Sequence, residues 1–292
     1  MHRRDFLRRS AAAAAGYVSL RAFPHHLFAG SQAKGAPDRV TLGATGITTS
    51  RLAMGTGTNG WNGSSEQTRG LGVDGMAGLL KLGYDHGVTF WDSADQYGSH
   101  PHLRRALADG GVPRDKITLL TKSHASTAKE MRADLERFRK ELGTDYLDIV
   151  LLHCMTDADW DKRRAGAMDV LSEAREAGTV RAHGVSCHSF EALKTAAANP
   201  WVQVDLARVN PAGAVMDSNP KAVLDVLAQM KAQGKGIIGM KVLGAGQLAG
   251  KADECFQWQL AQNTVDAFTL GMKNPEELLR TLKQIPAAST RG

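Results

Sequence analysis

From Val40 onward the chain alternates short apolar runs with amphipathic helical stretches eight times, and this alternation limits the folds open to it. The strand-like runs are Ala53–Gly55, Val88–Asp92, Ile117–Thr121, Leu147–Leu152, Val180–Val185, Val202–Val209, Ile237–Met240 and Asp266–Leu270. Between and after them lie helical patterns over Asp74–His86, Pro101–Ala108, Ala128–Leu142, Asp159–Ala177, Phe190–Ala197, Lys221–Ala232, Asp253–Asn263 and Pro275–Lys283. Apolar strands separated by helices demand parallel pairing with the helices outside the sheet. Eight such units in roughly 250 residues match a closed (β/α)8 TIM barrel. An open doubly wound sheet would need a break in the alternation, and no G-x-G-x-x-G follows any strand to support a Rossmann dinucleotide site. Val40–Leu42 and Thr48–Leu52, on either side of a glycine-containing turn at Ala44–Gly46, are expected to form a β-hairpin ahead of the first barrel strand.

In a barrel of this kind chemistry belongs at the strand C-termini, and three consecutive strands end in residues that handle protons. Phe90–Trp91–Asp92 places an acid at a strand end, with the phenol of Tyr97 five residues on. The next strand ends Leu120–Thr121–Lys122, and the one after runs Asp148 to His153. A phenol exchanges protons poorly near neutrality, because its reference pKa is about 10, so it needs a neighbouring cation. Lys122 is expected to supply that cation and to lower the Tyr97 pKa, with Asp92 holding the lysine charged and oriented. His153 would then orient a carbonyl oxygen while Tyr97 acts as its general acid.

The 292 residues carry a net charge of +6, but residues 1–33 account for +4 of it through Arg3, Arg4, Arg8, Arg9 and Arg21 against Asp5. With so little excess charge elsewhere, no nucleic-acid partner is expected. His2–Ser10 (HRRDFLRRS) is followed by a modestly apolar alanine-rich stretch and by Ser31–Gln32–Ala33, small residues spaced for cleavage after Ala33. This resembles a twin-arginine export signal, an address read by the export machinery and not part of the fold. The expected organisation is a signal peptide over residues 1–33 and a barrel over 34–292, with a periplasmic or extracellular location and no stable membrane anchor after cleavage. Because that route carries folded proteins, a cofactor loaded in the cytoplasm could travel with the chain. Cys154, Cys187 and Cys255 are too few and scattered for a disulfide framework, although a Cys154–Cys187 pair would be permitted after export.

The D-x-A-x-x-Y-G pattern at Asp92–Gly98, the run ELGTDYLDIVLLH from Glu141 to His153, Gly184–Val185–Ser186 and Asn210–Pro211 together resemble the aldo-keto reductase family over about Val40 to Lys283. The resemblance implies a hairpin plugging the barrel bottom and a tetrad of Asp92, Tyr97, Lys122 and His153. It also implies hydride transfer between a nicotinamide cofactor, NADP(H) before NAD(H), and a small carbonyl or alcohol substrate. Cofactor contacts carried over by position are Ser186, Cys187, Asn210, Met240, the glycine-containing loop at Leu243, Gly244 and Gly246, and Lys273 with Asn274 at the start of the last helix. Several positions depart from the family pattern. Cys187 replaces an Asn, Leu206 a Gln, and Met240 an aromatic that stacks on the nicotinamide, while Glu276 and Glu277 stand where some members carry an Arg for the 2′-phosphate. A thiol is a weak hydrogen-bond partner and Leu is none.

His100, His102, Cys154, Cys187 and His188 are also expected near the barrel mouth, but their spacing matches no metal motif, so no metal is assigned. Only nine residues follow Lys283, too few for a long capping loop, which points to an open, shallow site. Two other functions compete with a reductase. One is an exported nucleotide-binding or regulatory barrel with little catalysis, and the other a metal-dependent hydrolase.

Overall fold

The computed structural model describes residues 33–289, so the expected export signal, apart from its last residue Ala33, lies outside the described residues. Eight parallel strands close into a barrel: β3 (Leu52–Gly55), β4 (Phe90–Asp92), β5 (Thr118–Ser123), β6 (Leu147–Met155), β7 (Val180–Cys187), β8 (Val204–Arg208), β9 (Gly236–Met240) and β10 (Ala267–Gly271). β10 pairs with β3 to complete the ring. The connecting helices are α1 (Glu66–Asp85), α2 (His100–Ala108), α3 (Ala128–Leu142), α4 (Trp160–Arg163), α5 (Ala165–Glu176), α6 (Phe190–Ala198), α7 (Pro220–Ala232), α8 (Ala252–Ala261) and α9 (Pro275–Ser289). No helix among the described residues is long and apolar enough to cross a membrane.

Strand periodicity sorts the core into two layers. Phe90, Leu120, Ile149, Leu151, Ala182, Leu206 and Ile238 fill the barrel, whereas Trp91, Leu119, Val150 and Val185 pack between barrel and helices. Trp91 is thus a packing residue at 0% exposure.

The hairpin is β1 (Arg39–Thr41) with β2 (Thr48–Ser50), antiparallel in the register Arg39↔Ser50. It drives Leu42 and Ile47, at 0% and 1% exposure, into the inner apolar cluster. Gly43 adopts φ +49°, and a Cβ there would stand 2.3 Å from the Gly234 carbonyl oxygen, so the chain can approach the barrel floor this closely only through glycine. The plug is worth more than its size suggests, because it seals one end of the inner core. Leu42→Ala is expected to cost about 2–5 kcal/mol of unfolding free energy, read from the midpoint in guanidinium denaturation.

Three elements differ from the sequence expectation. α1 starts at Glu66 and not at Asp74: Ser65 Oγ accepts from Thr68 N at 3.1 Å while Thr68 Oγ1 accepts from Ser65 N at 2.7 Å. This reciprocal cap starts a helix inside a stretch whose glycines suggest a loop. The backbone then breaks at Gly72 (φ 62°, ψ −176°) before continuing. The helix expected over Asp159–Ala177 is split at Arg164 (φ −106°, ψ 9°), whose guanidinium donates to the His124 carbonyl. The last helix continues past Lys283 to Ser289 with Pro286 inside it.

Candidate active site

Asp92, Lys122, His153, Ser186, Arg208, Met240 and Thr269 share strand parity with the residues that fill the barrel, and each stands at or near the C-terminal end of its strand. The fold therefore aims their side chains into one mouth. Lys122, 1% exposed, donates its ammonium to Asp92 Oδ1 and to the Ser93 carbonyl at 2.7 Å. The other Asp92 oxygen accepts from Thr269 Oγ1 at 2.9 Å. Burial alone would deprotonate the lysine, but Asp92 and then Tyr97 outweigh it, leaving the amine pKa above its ordinary value. Lys122 is cationic as expected.

Tyr97 ends a short 3-10 turn, Asp95–Tyr97, that is terminated by Gly98 in the left-handed region at φ 63°. Its ring centroid lies 4.9 Å from Lys122 Nζ, and its hydroxyl lies 3.5 Å from His153 Nε2. The ring is seated against the first loop: a Cβ at Gly57 would stand 2.1 Å from it and one at Gly60 2.4 Å. Those two glycines are the space the phenol occupies. The expected lowering of its pKa is not found in this arrangement. Burial raises it first, Lys122 pulls it down, Asp92 pushes it up again, and the net direction is upward. The phenol is a protonated acid throughout the neutral range. Burial, followed by the charge of Lys122, holds the His153 imidazole well below its ordinary pKa, so it is neutral. The four expected residues form one constellation: a neutral phenol and a neutral imidazole side by side, over a buried ion pair.

A cleft of about 540 Å³ opens from this point. Asp92, Tyr97, Leu206 and Met240 line one part of it, and Lys241, Leu243, Gly246, Lys273, Glu277 and Arg280 are also on its walls. Of the expected cofactor residues, Met240, Leu243, Gly246 and Lys273 thus face the cleft. Ser186 points inward but is fully buried, its Oγ accepting from Cys154 N at 3.0 Å.

Four expected contacts need correction. Cys187 has the opposite parity to Ser186 and packs in the layer between barrel and helices at 0% exposure. Asn210 is buried and its amide is saturated: Nδ2 donates to the carbonyls of Ala214 (2.8 Å) and Lys241 (3.1 Å), and Oδ1 accepts from Ala212 N (3.2 Å) and Ala214 N (3.0 Å). It ties the loop after β8 to the end of β9. Asn274 caps α9, its Oδ1 accepting from Glu277 N at 2.8 Å. Gly244 does not reach the cleft wall; its N–H is taken by the Lys241 carbonyl at 2.7 Å, so it supplies no amide for a pyrophosphate. The α9 N-terminus is similarly committed, since Glu277 Oε2 accepts from Lys273 N at 2.8 Å, and Lys273 Nζ pairs with Glu66 at 2.6 Å.

Other candidates fall outside the site. His100 is consumed structurally, with Nδ1 2.6 Å from Glu141 Oε2 and Nε2 2.8 Å from Thr121 Oγ1. The three cysteines are unpaired. Trp61 stands 69% exposed on the first loop, its ring edge-on to His124 at 6.2 Å.

The structure also adds residues that sequence reasoning missed. Arg208 enters the mouth from β8, paired with Asp217 at 3.2 Å and in contact with His188 Nδ1. Burial, then Arg208, pushes the His188 pKa down to about 3. Lys241, at φ 58°, lies on the cleft wall with its amine pKa lowered by burial and then by Arg208. Arg280 joins from α9, one turn beyond Glu276, the first of the two acids at the position of the family's phosphate-binding arginine. The parity of Arg208 with Leu206 was a usable signal; Arg280 was visible only as a fourth-residue neighbour of Glu276 on one helix face.

These features define a (β/α)8-barrel protein with Asp92, Tyr97, Lys122 and His153 gathered at the C-terminal end of its strands, beside a cleft whose walls carry Lys241, Lys273 and Arg280 together with Glu66 and Glu277. The Aldo/keto reductase family model matches residues 51–284, and the chain belongs to that family. It is 30% identical over 172 residues to aldo-keto reductase YhdN of Bacillus subtilis, covering 53% of this chain and 48% of that one. It is 30% identical over 196 residues to an aldo-keto reductase of Mycobacterium marinum, covering 62% of this chain and 64% of the relative. The chain thus matches between about half and two thirds of the length of these curated relatives. Among solved structures, the holo form of aldo-keto reductase AKR11C1 from Bacillus halodurans superposes with a TM-score of 0.68 at 14% identity, over 85% of this chain and 90% of that one. That likeness is one of fold.

Proposed function

We propose that the protein is an NADP(H)-dependent oxidoreductase that interconverts a small aldehyde or ketone and its alcohol, with Tyr97 as proton donor in the reducing direction. The observation that carries this reading is the neutral Tyr97 hydroxyl 3.5 Å from neutral His153, with the Lys122–Asp92 pair beneath the ring. A carbonyl oxygen placed between phenol and imidazole would receive two hydrogen bonds, and these strengthen as negative charge develops on it. Tyr97 then gives up its proton, and the phenolate left behind faces the Lys122 ammonium. His153, being neutral, orients the oxygen without competing as the acid.

The cleft suits a nicotinamide dinucleotide in its overall chemistry. Leu206 and Met240 offer an apolar wall on the tetrad side, and Lys241 and Arg280 offer cations for phosphates. Bound there, the cofactor would supply the hydride. Arg280 supports NADP(H) over NAD(H), since a guanidinium suits a phosphate dianion. Arg280→Ala is expected to weaken NADPH binding about tenfold or more, as for a lost charge-assisted hydrogen bond, while NADH binding changes little. Fluorescence titration of the two nucleotides on both proteins measures this.

Reduction with NADPH of a panel of aldehydes and ketones tests the reading; loss of NADPH absorbance with alcohol formation is the expected result. The twin-arginine reading of residues 1–33 extends the proposal to an exported enzyme that reaches the periplasm with its cofactor already bound. A second reading, a nucleotide-holding barrel with little catalysis, is favoured by the outward Cys187 and the saturated Asn210, which leave fewer groups to orient a nicotinamide. Tight NADPH binding without turnover on any carbonyl would select it.

A further inference from the structure

We propose that Asp95, His124 and His153 form a binding site for a divalent transition metal of the zinc class at the barrel mouth, and that metal binding there takes His153 out of the tetrad. The three residues come from consecutive βα units. Asp95 opens the turn after β4, His124 follows β5 directly, and His153 stands near the end of β6. Each offers one donor atom, and the three atoms lie within 4.8 Å of one another. The two imidazole rings are 4.5 Å apart centre to centre, and His124 Nδ1 is 3.6 Å from Asp95 Oδ1.

The state of the nitrogens is the more telling observation. His124 Nδ1 and His153 Nδ1 are both buried and neither has a hydrogen-bond partner among the described residues. Buried polar atoms nearly always find one, and His153 is only 7% exposed, so water is a poor substitute. Two unpartnered imidazole nitrogens converging with a carboxylate are the donor set of open zinc sites, which bind three protein ligands and leave one position for water or substrate. Metal–nitrogen bonds of about 2.0–2.1 Å require the donors to close by roughly an ångström. His124 can provide most of that movement, since its side chain is 30% exposed.

Two neighbouring cations are each paired with carboxylates, which reduces their opposition to a bound metal ion. Lys122 is neutralised by Asp92. Arg137, 3.9 Å from Asp95, is itself paired with Asp134 at 2.7 Å and Glu141 at 3.2 Å. Gln96 N donates to Asp95 Oδ1 at 2.6 Å and fixes the carboxylate, as the outer partners of metal ligands do. Coordination through His153 Nδ1 would fix the imidazole whose Nε2 stands 3.5 Å from the Tyr97 hydroxyl, where the substrate oxygen is expected. The metal would therefore compete with carbonyl orientation by His153; this second half of the proposal rests on the reductase reading, whereas the binding itself does not.

The test uses the chelator-treated, tag-free full chain. Zinc chloride titrated calorimetrically is expected to bind at one equivalent, and cobalt(II) to give the visible absorption of a four- or five-coordinate site. His124→Ala and Asp95→Asn should each weaken zinc at least tenfold and abolish the cobalt spectrum, with NADPH affinity unchanged. If the protein turns over a carbonyl substrate, zinc should inhibit the wild type, and the rate that His124→Ala retains should be insensitive to zinc. Sub-stoichiometric zinc binding, or binding unchanged in both variants, overturns the site. Stoichiometric binding that leaves turnover unaffected overturns its coupling to His153. An absence of turnover with metal binding intact bears on the reductase reading alone.

Discussion

Tyr97→Phe is expected to reduce kcat for carbonyl reduction by roughly 10²–10⁴, the range for removal of a positioned general acid. The substitution deletes one oxygen and keeps the ring that fills the space left by Gly57 and Gly60, so thermal stability and NADPH affinity should hold within experimental scatter. The pH dependence gives an independent check. Reduction needs the protonated phenol, and burial raises the Tyr97 pKa above its usual value near 10. The rate in the reducing direction should therefore be level from neutral pH upward and decline only in the strongly alkaline range. Stopped-flow or steady-state NADPH consumption measures both. Full activity in the phenylalanine variant would remove Tyr97 from the chemistry.

Lys122→Met should damage both fold and reaction. The ammonium is 1% exposed and neutralises Asp92, whose other side-chain hydrogen-bond partner among the described residues is the Thr269 hydroxyl. Removing one member of a buried pair leaves the other charged without compensation, which typically costs about 3–5 kcal/mol. Guanidinium unfolding should show a loss of this size. Turnover should fall by roughly 10²–10⁴ even under conditions where the variant is folded, because the phenolate formed on proton transfer would lose the cation that faces it. A variant with wild-type stability would show that the pair contributes no net stability. A folded variant with wild-type turnover would show that the cation plays no part in the proton transfer.

The barrel and the tetrad were legible in the sequence for the same reason. Both depend on strand order and on residue parity, and the apolar runs ending in Asp92, Lys122 and His153 set all three side chains on the inner face. Parity also held information that family position obscured. Cys187 follows Ser186 by one residue and so had to face the helices, and Arg208 follows Leu206 by two and so had to face the mouth. The early start of α1 was hidden because Ser65 and Thr68 cap it within a glycine-rich stretch. The Asn210 and Asn274 amides could not be read from sequence, since their partners are fixed by the loop after β8 and by the first turn of α9. The upward shift of the Tyr97 pKa depends on how deeply the first loop covers the ring, a distance no local pattern encodes. The gathering of Asp95 and His124 around His153 likewise comes from the packing of three separate loops.

The most direct measurement of the central claim is to purify the protein from the compartment in which it resides, denature it and identify any released nucleotide by mass spectrometry. The emptied protein would then be titrated with NADPH and NADH. The account predicts NADP(H) released at close to one per chain, or saturable NADPH binding that weakens in Arg280→Ala. A protein that releases no nucleotide and binds neither NADPH nor NADH would contradict it.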